Sequence, residues 1–84
     1  MKSKDKYVKL GYTNWSENSD KVYRIDLNES SGDYSIITRY GKRHRIGYPT
    51  VKLVTSNYGL ACNEYYKLMD SKLKKGYEIE EEVR

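Results

Sequence analysis

The chain has 84 residues, enough for one domain that buries a modest share of its surface, and too few for a cofactor domain or a two-carboxylate cleft. Charged residues make up 33% and hydrophobic residues 37%, and a formal charge of +4 permits nucleic-acid binding without requiring it. With ten Tyr, one Trp and no Phe, the aromatic core has to be built from tyrosine, whose hydroxyls need partners or the wet edge of the core.

In chain order, residues 1–9 are Lys-rich and lead directly into charged sequence, which argues against a secretory leader. No apolar run approaches the roughly 18 residues of a membrane span, so a soluble, cytoplasmic monomer is expected. Tyr7 to Tyr12 alternates Val8, Leu10 and Tyr12 against Tyr7, Lys9 and Gly11, the pattern of a strand with one apolar face. Thr13 to Asn18 reads as a polar loop. Its Trp15 reads first as a lid over the sheet edge and second as an exposed anchor for a protein partner. Lys21 to Asn28 is the clearest strand, with Tyr23, Ile25 and Leu27 on one face and Arg24 and Asp26 on the other. Asn28 to Asp33 is a turn, rich in residues that accept positive φ or bond their own backbone, and it implies an antiparallel hairpin.

Tyr34 to Lys42 is the third strand. Its phase stays open, because Ile36 and Ile37 point to opposite faces and Gly41 could mark a bulge that resets the alternation. His44 to Pro49 reads as a loop, and Thr50 to Thr55 as a fourth strand with Val51 and Leu53 inward. Asn57 is placed to cap a helix from Tyr58 to Lys75. Ala61, Cys62, Tyr65, Leu68, Met69 and Leu73 give that helix one apolar stripe, and Leu68 is expected to be buried against the sheet. Lys72, Lys74 and Lys75 suit its last turn, and Gly76 its C′ position. The tail, residues 78–84, is acidic and is expected to fray, with a short fifth strand conceivable near Tyr77 to Ile79. The expected fold is α+β: an antiparallel sheet of four to five strands with one C-terminal helix, a single domain over 1–84 whose core spans about 7–77.

The candidate site is the run from Ile36 to Gly47. An apolar strand ends there in Tyr40 and passes into a turn with four cations, Arg39, Lys42, Arg43 and Arg45, and no acid among them. Tyr40 and Lys42 are two apart, so an extended backbone points them to one face, a ring beside a phosphate-holding charge. Stacking combined with neutralised phosphates is how proteins bind nucleic acid without reading bases. Arg39 lies on the opposite face and can pair with an acid such as Asp26. His44 reads first as an exposed loop histidine and second as a phosphate contact. The competing reading of the whole run is a solvated basic hairpin with a packed tyrosine. Cys62 is the only cysteine, so no intramolecular disulfide forms, and with one His no structural zinc site is expected. No nucleophile stands with a recognisable base and orienter, so neither an enzyme nor a cofactor is expected.

Three segments in this order, Ser19 to Leu27 (SDKVYRIDL), Arg39 to Arg43 (RYGKR) and Lys67 to Tyr77 (KLMDSKLKKGY), resemble a WGR domain. That small module stands beside the catalytic region of DNA-dependent poly(ADP-ribose) polymerases and also occurs alone in bacterial proteins. The resemblance spans Tyr7 to Tyr77, and the name-giving Trp-Gly-Arg reads here Tyr40-Gly41-Lys42. It implies a sheet packed by one helix and a non-catalytic DNA-binding role. In those polymerases the motif aromatic lies against the sugar exposed at a strand break and the motif Arg contacts DNA beside it. The resemblance carries these roles to Tyr40 and Lys42, with Arg43 and Arg45 compensating for the lost guanidinium. Two functions follow as expectations. The first is a module that holds ends or nicks of DNA, with RNA as a further ligand. The second is a protein-interaction module that docks on a nucleic-acid enzyme or a defence protein.

Overall fold

A computed structural model describes residues 5–83. The reading of the N-terminus falls partly on residues 1–4, and the tail ends at Arg84; these lie outside the described residues. The elements are β1 (Lys6–Asn14), a 3-10 turn (Trp15–Glu17), β2 (Ser19–Ser30), β3 (Asp33–Lys42), β4 (Arg45–Ile46), β5 (Thr50–Thr55), α1 (Tyr58–Lys74) and β6 (Glu78–Val83). All strand pairs are antiparallel, in the order β4-β3-β2-β1-β6, with β5 also on β3. The expected sheet-plus-helix class is borne out, with six strands where four to five were expected. The sixth is the two-residue β4, inside the expected loop, and the fifth, conceived near Tyr77 to Ile79, is β6, which runs on to Val83.

The β2–β3 turn is tighter than the sequence suggests. Ser30 pairs with Asp33, so only Ser31 and Gly32 turn the chain, at φ 52° and 85°. Two successive positive φ values match the twist of a two-residue hairpin. The phase of β3 resolves with Tyr34, Ile36 and Thr38 inward and Ile37 on the open face. Gly41 stays in register with Val22, so it is not the bulge. The slip lies between β3 and β5: Ile36 pairs with Leu53 and Ile37 with Val51, which leaves Lys52 extra. That extra residue sends Val51 and Leu53 to different faces. Leu53 packs on the core, and Val51, expected inward, is 59% exposed.

The core lies between the sheet and α1. Val8, Leu10, Tyr23, Ile25, Leu27, Tyr34 and Ile36 supply the sheet side, and Ala61 and Tyr65 the helix side. The helix starts where Asn57 Oδ1 accepts from the Leu60 N–H at 3.1 Å. It ends in a Schellman motif, in which Gly76 (φ 102°) donates to Leu73 O and Tyr77 to Lys72 O, both at 3.1 Å. Leu68 is half-buried at the rim of the core rather than within it. The tail does not fray. Glu78 to Val83 pairs along β1, and a bulge leaves Glu80 unpaired between Ile79 and Glu81. Among the described residues no helix is long and apolar enough to cross a membrane.

Candidate nucleic-acid interface

One end of the sheet gathers the start of β2, the β3–β4 turn and the end of α1. Two cross-strand rows lie there on the helix side of the sheet. The first pairs Tyr40 with Tyr23, rings 6.0 Å apart and 18° from parallel. Tyr23 is buried and Tyr40 is 63% exposed, so the core tyrosine backs a ring that faces solvent. Lys72 Nζ stands 4.4 Å over the Tyr23 ring, and Tyr77 meets that ring edge-on at 6.4 Å. Burial pushes the Tyr23 phenol above its usual range. The expectation that Tyr40 might instead pack as a core residue does not hold.

The second row is cationic. Lys21 pairs with Lys42, and Lys42 with Arg45, across β2, β3 and β4. Directly paired residues share a face, so three like charges stand side by side, an arrangement that costs stability. Among the described residues none of the three takes part in an ion pair. The glycine between the rows lets them meet. A Cβ on Gly41 would sit 2.6 Å from the Arg45 carbonyl oxygen, and the Gly47 N–H donates to Tyr40 O at 2.9 Å. The backbone of β4 thus closes onto Tyr40-Gly41.

The other expected residues are placed differently. Arg43 turns to the open face, where Nε donates to Asp20 at 2.9 and 3.1 Å and both terminal nitrogens donate to Glu80 at 2.8 Å. Glu80 first and Asp20 second raise the pKa of this guanidinium still further, and Arg43 holds the Glu80 carboxyl below its usual range. The bulge in β6 aims Glu80 across Gly11, where any side chain would collide with it: a Cβ there would fall 1.9 Å from Glu80 Oε2. Arg39 is exposed on the open face opposite Arg24. Asp26 is held there by Arg24, at 3.0 to 3.1 Å, and not by Arg39. His44 is exposed at the turn tip. Trp15 is 86% exposed, which overturns its reading as a lid.

The fold therefore brings Tyr40, Lys42 and Arg45 together, leaves Arg43 beside them with its guanidinium engaged by carboxylates, and turns Arg39 to the open face. It adds Lys21 and Lys72, which the sequence reading passed over as sites. Lys21 was legible, two residues before Tyr23 on the same strand face. Lys72 was read only for its helix-end charge.

The family model of the WGR domain matches residues 7–84. Comparison with curated proteins and with solved structures gives no match. Because the family match covers nearly the whole chain, the chain belongs to the WGR domain family, whose members are generally nucleic-acid-binding modules.

Proposed function

We propose that this chain is a non-catalytic module that holds DNA at an end or a nick through the two rows at this sheet end. The observation that carries the reading is the exposed Tyr40 ring, backed by Tyr23, beside the cationic row Lys21–Lys42–Arg45, which makes no ion pair among the described residues. The cations neutralise phosphates, a contact that fixes position and carries no sequence information. Tyr40 lies against the sugar or base that a break exposes. Lys42 acts as a point charge, since an ammonium cannot make the two-pronged contact of a guanidinium. His44 adds a contact at the turn tip, and Arg39 reaches the flanking backbone from the open face. Arg43 serves by holding the turn that carries Lys42 and Arg45.

Titration of labelled blunt, nicked and single-stranded DNA at two salt concentrations tests this. Tyr40→Ala is expected to weaken binding to ends and nicks by roughly 1–3 kcal/mol, to leave the salt dependence in place and to erase the preference for a break. Absence of DNA binding at about 50 mM salt, where the electrostatic contribution is large, overturns the proposal. A protein partner would then be the ligand to seek.

A further inference from the structure

The end-binding site uses Tyr40, and two further exposed rings stand near it: Tyr48, which follows β4 beside Arg39 and Arg45, and one on the far side of the cationic row. The second of these is Trp15, presented on a built turn. Asn14 Oδ1 accepts from Ser16 N (3.1 Å), Glu17 N (3.3 Å) and Ser16 Oγ (2.7 Å). Asn18, at φ 54°, closes the turn by donating to Trp15 O at 3.2 Å. This cap orders the backbone that carries the ring without covering the ring itself.

Between this turn and the end of α1 runs a groove of about 270 Å³, lined by Tyr12, Glu17, Lys21, Lys72, Lys75 and Tyr77. Three lysines face one carboxylate there. Lys21 also lines the neighbouring groove beside the β3–β4 turn, together with Lys42, Arg45 and the Arg43–Asp20 ion pair, whose charges offset one another. The two grooves share that wall, so positive charge continues from the turn to the helix end. Among the described residues Lys72 makes no ion pair. Burial first, and then Lys75 and Lys52, lower its pKa, a strain that a bound anion would relieve.

We infer that this second groove takes an unpaired strand continuing from the bound DNA end, its phosphates along Lys21, Lys72 and Lys75 and a base stacked on Trp15. The inference rests on the end-binding reading above. Trp15 lies outside the groove's lining, on the turn whose Glu17 forms one wall, and lysines along a groove with an aromatic platform at its margin are the chemistry of single-strand binding. Within a duplex the base faces are buried in the stack, and the face exposed at the break is already taken by Tyr40, so the base that reaches Trp15 lies beyond the last pair.

Trp15 is the only tryptophan, so its emission reports this site. The full chain is titrated with a blunt duplex and with the same duplex bearing a short unpaired thymidine overhang on its 3′ or its 5′ strand. An overhang of one polarity is expected to bind about 5- to 150-fold more tightly than the blunt end and to quench the emission. Trp15→Ala is expected to abolish that preference with blunt-end affinity unchanged, and Trp15→Phe to retain part of it. Blunt-end binding with no overhang preference and no quenching overturns this inference, leaves the end-binding reading intact and frees Trp15 to anchor a protein. An overhang preference that survives in Trp15→Ala also overturns it. If none of the three DNAs binds, both readings fail together.

Discussion

Arg43 shows how one residue's role is decided by its partners. Its fork is filled by Asp20 and Glu80, so the side chain ties the β3–β4 turn to the start of β2 and to β6. Arg43→Ala is expected to lower the melting temperature and to loosen the C-terminal strand, seen as faster amide exchange in residues 78–83. Glu80 gives the same linkage a pH dependence. Arg43 holds its carboxyl below the usual carboxylate range, so its contribution to stability is complete above the unfolded pKa and is lost as pH falls through the lower folded one. Melting temperatures across acid pH are expected to fall less steeply for Glu80→Gln than for the unaltered chain. Gly41 is a different case, because backbone rather than charge decides it. With φ at 156° and the Arg45 carbonyl 2.6 Å from any Cβ, Gly41→Ala is expected to cost more than about 1 kcal/mol in urea unfolding.

Among the elements, α1 covers one face of the sheet and β6 its β1 edge, and they do so in different ways. The helix does so by burial. Tyr65 is fully buried and Leu68 only half, so Tyr65→Ala is expected to cost about 3–5 kcal/mol and Leu68→Ala less than about 2 kcal/mol. Urea unfolding of the two variants ranks them, and the reverse order would displace the core from Tyr65. The helix was legible because a 3.6-residue stripe, an Asn cap and a terminal Gly agree on its limits. The strand β6 was legible only at its start, near Ile79. Glu78-Ile79-Glu80-Glu81-Glu82-Val83 has no alternation across the bulge and reads as a charged tail until the free edge of β1 is there to receive it. Val51 was misplaced for a related reason. The alternation of β5 is broken by the pairing slip at Lys52, which depends on β3 and leaves no mark in the strand's own residues.

For the whole molecule, a charge of +4 says less than where the charges stand. The acids Asp20, Asp26 and Glu80 are engaged by Arg43 and Arg24, and among the described residues the row Lys21–Lys42–Arg45 at one end makes no ion pair. Replacing those three by Ala is expected to weaken DNA binding about equally for every sequence and to flatten the dependence of log affinity on log salt by roughly 0.9 per lost phosphate contact. Arg43→Ala, provided it stays folded, is expected to leave that slope unchanged. A slope lowered as much by Arg43→Ala as by Lys42→Ala would return Arg43 to the phosphate contacts.

The local properties of the chain were set by its own residues. Period-two alternation specified β1 and β2, the stripe and caps specified α1, and the spacing of Tyr40 and Lys42 put them on one face. These features depend on neighbours within a few positions, where backbone geometry alone assigns a direction. What only the tertiary structure decided was pairing over distance. Glu80 reaches Arg43 across 37 residues, Lys21 stands beside Lys42, and Lys72 lies over Tyr23. A cation is a ligand site or a structural tie according to whether a carboxylate is brought to it. That is settled by strand order and register, which no local pattern encodes.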